Sequence, residues 1–143
     1  MNSEKFWKRM WLVAAWHNFI GVAALVIGRN WIYTSAGEPK PAPILSLHYD
    51  TWIGLVLVFG ILYYLVYKNL YESRLLVIVG MLGKITSATP QLIYWVLYTD
   101  RYPPMLIFPI FTDYAFAFLY WRFLKFLAKN PGPIAAHPNR ASR

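Results

Sequence analysis

The chain has 143 residues, the length of a single domain, and 58% of them are hydrophobic, where a soluble protein carries about 45–50%. Only 14% are charged, aromatics reach 19%, and mean hydropathy is +0.38, which excludes a soluble globular domain, a disordered chain and a coiled coil and points to an integral membrane protein. Fourteen Lys and Arg against six Asp and Glu give a net charge of +8, but these bases flank apolar runs instead of covering one face, so they read as topology signals and not as a nucleic-acid surface.

A bilayer core of about 30 Å takes about 20 apolar residues of helix. Four segments meet that demand, at about 7–28, 51–67, 75–98 and 105–127. The first follows Lys5, Lys8 and Arg9 in the charge order of a signal peptide. It is too long for a signal core and ends at Ile27-Gly28-Arg29 without a small-residue cleavage site, so it reads as a retained helix. The stretch 29–50 carries Gly37, Pro39, Pro41 and Pro43 and reads as a loop. The link 68–74 is short, and the next link turns at Pro103-Pro104. Short links imply antiparallel neighbours. The tail 130–143, with Pro131, Gly132, Pro133 and Pro138, reads as disordered. The expected fold is an all-α, four-helix transmembrane bundle.

With the amino terminus inside, ten bases lie on the cytoplasmic side (Lys5, Lys8, Arg9, Lys68, Arg74, Arg122, Lys125, Lys129, Arg140 and Arg143) and three on the other (Arg29, Lys40 and Arg101). Both termini are therefore expected in the cytoplasm. Trp7, Trp11, Trp31, Tyr33, Tyr49, Trp52, Tyr67, Tyr71, Tyr98, Tyr102, Tyr120 and Trp121 gather near helix ends, as an aromatic belt does.

Ionisable groups at mid-bilayer cost about 2.5–3.5 kcal/mol each on insertion scales and are functional candidates by default. At about 1.5 Å per residue, His17 and Asn18 in the first helix, Lys84 in the third and Asp113 in the fourth fall at one depth. The helical spacing puts Gly80, Lys84, Ser87 and Gln91 on one face of the third helix, with Pro90 freeing a carbonyl near Thr86. Ala14, His17, Gly21, Ala24 and Gly28 share a face of the first helix, where small residues would admit a neighbour. Gly60, Tyr64 and Tyr67 share one of the second, and Pro109, Asp113, Phe116, Ala117 and Tyr120 one of the fourth. Lys84 and Asp113 are expected to form a buried ion pair, which either fixes helix register or faces a ligand. His17 is either a packed core histidine or a proton carrier.

The absence of cysteine excludes disulfides, thiolate catalysis and iron–sulfur ligation. His17, His48 and His137 have no metal-ligand spacing, so neither a metal nor a cofactor is expected. No phosphate loop, dinucleotide fingerprint or serine-hydrolase motif is present.

Trp16-His17-Asn18-Phe19-Ile20-Gly21, Phe59-Gly60-Ile61-Leu62-Tyr63-Tyr64, Gly80-Met81-Leu82-Gly83-Lys84 and Thr112-Asp113-Tyr114-Ala115-Phe116-Ala117 follow in order. This order is similar to that of a group of small, four-helix bacterial membrane proteins with an Asn–Gly opening, a Gly-x-x-Tyr stretch, a Gly-Lys and a Gly-Asp. Thr112 stands where that group has glycine. The plan also resembles, loosely, the DoxX group and, more distantly, the emopamil-binding sterol isomerase bundles. The latter use intramembrane acidic residues on a lipid-like cation; this chain offers a single one, Asp113. The resemblance implies a fold and a membrane and, with the charge bias, leads to the expectation of a multi-pass protein in a bacterial inner membrane.

Three functional readings follow. The first is a binding protein for a small apolar or amphipathic molecule, quinone, isoprenoid or sterol-like, with Asn18, Lys84, Tyr64 and Gln91 as ligand-binding residues. Its enzymatic form has His17 or Asp113 move a proton on the ligand. The second is a non-catalytic accessory or assembly subunit of a larger membrane complex. The third is a proton- or ion-coupled carrier, in which four helices call for a homo-oligomer.

Overall fold

The structure, a computed structural model, describes residues 3–35, 37, 39–98 and 107–131. Among these residues the chain is all-helical, with five helices: α1 (Ser3–Ile27), α2 (Arg29–Ser35), α3 (Pro43–Lys68), α4 (Arg74–Leu97) and α5 (Ile107–Lys129). Three of them, α1, α3 and α4, are long and apolar enough to cross a membrane. α5 is of similar length, 23 residues, but carries Asp113, Arg122, Lys125 and Lys129. The turn expected at Pro103-Pro104, the start of the fourth helix at Met105 and most of the tail lie outside the described residues.

The stretch read as a loop, 29–50, is largely helical, which corrects that expectation. Its prolines punctuate helices without interrupting one: Pro39 and Pro41 precede α3, and Pro43 occupies its first turn, where the missing N–H would have had no partner. α3 is therefore 26 residues long and begins well before Thr51. Gly28 lets α1 bend into α2, because a Cβ there would lie 2.8 Å from the Ala24 carbonyl oxygen. Arg29 then bonds Asp50 at 2.5 Å, and the Tyr33 hydroxyl donates to the Leu45 carbonyl at 3.4 Å, so α2 is clasped against the start of α3. The Asp50 hydrogen bond holds the Arg29 guanidinium above its usual pKa.

α1 packs along α3, α4 packs along α5, and α3 meets α4 more lightly. α1 and α5 are bridged by large rings. Trp7 lies 5.2 Å from Phe123, and Trp11 stacks on Tyr120 at 4.3 Å. Close helix approach uses small residues, as expected where no hydrophobic effect drives helices together in lipid. A Cβ on Gly60 would meet the Phe19 ring at 2.7 Å, and one on Gly80 would meet the Tyr63 ring at 2.7 Å.

Buried residues are unevenly spread along the helices. Trp7, Met10, Trp11, Ala14 and Ala15 of α1, Tyr63 and Val66 of α3, Val77 of α4, and Tyr120 and Phe123 of α5 form one core at the end where the α3–α4 link lies. Toward the α2 end, α1 buries nothing beyond Asn18 and α3 nothing before Gly60. Trp7, Trp11 and Tyr120, read as interface residues, belong to this core because they turn toward neighbouring helices.

Candidate functional site

Two of the inward faces expected from spacing are rotated in the structure. α1 buries Trp7, Met10, Trp11, Ala14, Ala15 and Asn18, so its inner face runs through Asn18, with His17 at the edge. Gly21 of the expected face has open space where a Cβ would stand, and no helix approaches there. α3 buries Gly60, Tyr63 and Val66, so Tyr63 points inward and Tyr64 does not. The other two faces agree with spacing. α4 buries Gly80 and Lys84, and α5 turns Asp113, Ala117 and Tyr120 toward the interior.

At the boundary of the packed core three helices meet through polar side chains. Lys84 Nζ donates to Asp113 Oδ1 at 2.5 Å and to Asn18 Oδ1 at 3.1 Å. Asn18 Nδ2 donates to the Val56 carbonyl at 3.1 Å, which ties α3 into the same network. The two charged side chains are 9% and 13% exposed, so the pair is enclosed, and its charges are tolerable only together. Lys84 Nζ also sits 5.9 Å from the Tyr63 ring centroid and 5.7 Å from that of Phe116. Tyr63 donates its hydroxyl to the Gly80 carbonyl at 3.3 Å. These rings form the floor on which the polar cluster rests.

Above the floor lies a cavity of about 580 Å³. Asn18, Lys84 and Asp113 close one end of it, Ser87 and Gln91 follow along α4 about one and two turns past Lys84, and its apolar wall includes Leu25, Ile32, Trp52, Leu55, Val56 and Phe59. Phe59 crosses to α4, where a Cβ on Gly83 would overlap its ring at 2.4 Å. Beyond that contact the cavity separates α3 from α4. Leu55 and Thr86 line it and are also exposed on the molecular surface, so it opens sideways between these helices. Pro90 stays within α4, and Gln91 Nε2 donates to the Ser87 carbonyl at 3.0 Å and to Ser87 Oγ at 3.2 Å.

Of the residues singled out in the sequence, Asn18, Lys84, Gln91 and Asp113 meet at this cavity. His17 packs its half-buried ring on Phe116 at 5.2 Å and is not part of the lining. Tyr64 is exposed on the outer face of α3, with Lys68 Nζ 5.4 Å from its ring centroid. Sequence reasoning missed Tyr63, Phe59 and Trp52. The signal for Tyr63 was its spacing of three from both Gly60 and Val66. Among the described residues no three His, Cys, Asp or Glu side chains gather as metal ligands would. No family model, curated protein or solved structure matches the chain.

Proposed function

We propose that this protein is a multi-pass protein of a bacterial inner membrane that binds a small amphipathic molecule of the quinone, isoprenoid or sterol-like class. In this reading α1, α3, α4 and α5 form a four-helix transmembrane bundle with both termini in the cytoplasm, in keeping with the DoxX-like plan of its motifs. The single observation that carries the reading is the cavity itself: a largely apolar chamber of about 580 Å³ that ends on a buried Asn18–Lys84–Asp113 network and opens between α3 and α4. A volume in the range of about 300–1,000 Å³, apolar walls and few polar groups are the general marks of a small-molecule site. A sideways opening suits a ligand that arrives dissolved in the bilayer.

A ligand so held would lie with its polar end at Asp113 and its apolar body along Trp52, Leu55 and Val56. A carrier with access from both sides is less well supported, since the Trp11–Tyr63–Tyr120 layer lies beneath the cluster with its rings in contact. The test is gentle extraction from native membranes followed by native mass spectrometry. One stoichiometric small amphiphile supports the binding reading. A stoichiometric protein partner with an empty cavity favours the accessory-subunit reading instead.

A further inference from the structure

The hydrogen-bond inventory of the cavity restricts the polar group it accepts. Lys84 has three N–H donors. Two are used on Asp113 and Asn18, and the rings of Tyr63 and Phe116 lie on further sides of the ammonium. Asn18 is committed through both ends of its amide, to Lys84 and to the Val56 carbonyl. Gln91 turns its amide nitrogen to Ser87, at the carbonyl and at Oγ. Each of these nitrogens is thus anchored to a protein acceptor, with one N–H of Lys84 and one of Asn18 left over. Of the carboxylate and amide oxygens in the lining, Asp113 Oδ2 at the closed end and Gln91 Oε1 two turns along α4 receive no donor among the described residues.

Charge restricts the ligand further. Lys84 and Asp113 sum to zero within one enclosed pair. An ammonium ligand would add an uncompensated charge to a poorly solvated chamber, and a carboxylate would face Asp113 across it. A ketone or aldehyde has no proton to donate and would leave Asp113 Oδ2 without a partner. We propose that the cavity takes an uncharged lipid-like alcohol, of the prenol, sterol or quinol kind, whose hydroxyl donates to Asp113 Oδ2. This rests on the reading of the cavity as a ligand site.

The test uses the full chain in neutral detergent micelles, with dissociation constants measured by native mass spectrometry for five probes that share one tail: farnesol, farnesal, farnesylamine, farnesoic acid and farnesene. The expected result is that farnesol binds about tenfold more tightly than each of the others, the scale of one hydrogen bond to a charged acceptor. The double variant Lys84→Met with Asp113→Leu removes the pair as a unit. It should bind farnesene as the wild type does and lose the preference for farnesol. Gln91→Leu, at a half-exposed wall position, should reduce that preference only in part. Equal binding of farnesol and farnesene, or tightest binding of the aldehyde, amine or acid, would overturn the hydroxyl assignment and leave the cavity reading standing. A preference for farnesol that survives in the double variant would overturn the role of Asp113. Binding of none of the five by the wild type would sink the cavity reading itself.

Discussion

The two ends of the helical assembly use the same helices and much the same residue types, yet one is built around stacked rings and the other around an open chamber. Around Trp11 the rings of Tyr63, Tyr120 and Phe123 lie with their centroids between 4.3 and 5.7 Å away, so α1, α3 and α5 meet there through stacked side chains. Around Trp52, at the other end, the nearest ring is Tyr49 at 6.2 Å, and the space toward α4 is empty. The difference lies in what each helix sends across. In the packed half, Trp7 and Trp11 reach from α1 to rings of α5. In the open half, beyond the Phe59–Gly83 contact, α4 offers Thr86 and Ser87, which are too small to fill the span to α3. The Asn18–Lys84–Asp113 network sits where the two regimes meet. An aromatic-rich membrane protein can therefore spend its rings on sealing one end and leave polar groups facing an apolar chamber at the other.

The largest effect should come from the junction. Lys84→Met leaves Asp113 enclosed without its cation and should cost about 3–5 kcal/mol, the scale for breaking a buried pair from one side. Adding Asp113→Leu should restore most of that loss, as read by chemical unfolding in detergent. Single and double variants of equal stability would show that the two side chains do not depend on each other.

Next come the tryptophans, which separate the halves directly. Trp11→Ala removes a fully buried ring and should cost about 3 kcal/mol, within the range for large-to-small core changes. Trp52→Ala, on the cavity wall, should cost less than about 1 kcal/mol while weakening ligand retention. Similar losses of stability at both sites would erase the distinction between filled and open ends.

Glycine substitutions give a finer contrast. Gly80→Ala forces a Cβ against the buried Tyr63 ring and should cost about 1–3 kcal/mol. Gly21→Ala and Gly54→Ala meet nothing within 4 Å and should stay within about 0.5 kcal/mol of the parent. Thermal unfolding of the three variants side by side decides it.

The smallest expected effects concern two phenol hydroxyls of the packed layer. Tyr63→Phe deletes the donor to the Gly80 carbonyl and should cost about 1 kcal/mol. The Tyr120 hydroxyl is buried and meets that of Tyr63 without a well-formed hydrogen bond, so Tyr120→Phe should cost less than Tyr63→Phe. A larger loss at Tyr120 than at Tyr63 would mean that the layer contains a polar contact beyond those described.

How far the sequence carries depends on what each helix uses for contact. Lys84 and Asp113 were legible because a charge at mid-bilayer has few tolerable settings, and the depths of three helices can be counted. The inner face of α4 was legible because Gly80, Lys84, Ser87 and Gln91 interrupt an otherwise apolar surface. The inner face of α1 was not. In lipid both sides of a helix are apolar, and a search for small residues favoured Gly21 and Ala24 over Trp11 and Asn18. The same reasoning chose Tyr64 over Tyr63: both lie a turn from Gly60, and only packing against Gly80 separates them. α2 and the early start of α3 were hidden by prolines that count as breakers in a scan and serve as helix starts in the fold. The cavity could not be read at all, because an unfilled space depends on how far apart α3 and α4 stand.

The most direct test of a lipid-like ligand in the open half is photo-crosslinking from two positions in the native membrane. A photoreactive phenylalanine analogue at Leu55 lies on the cavity wall, and one at Val13 is exposed on the outside of α1 in the packed half. The expected result is one discrete small-molecule adduct from position 55 and a spread of bulk phospholipid adducts from position 13. The same phospholipid spread from both positions would contradict a bound ligand and leave the chamber as a lipid-filled crevice.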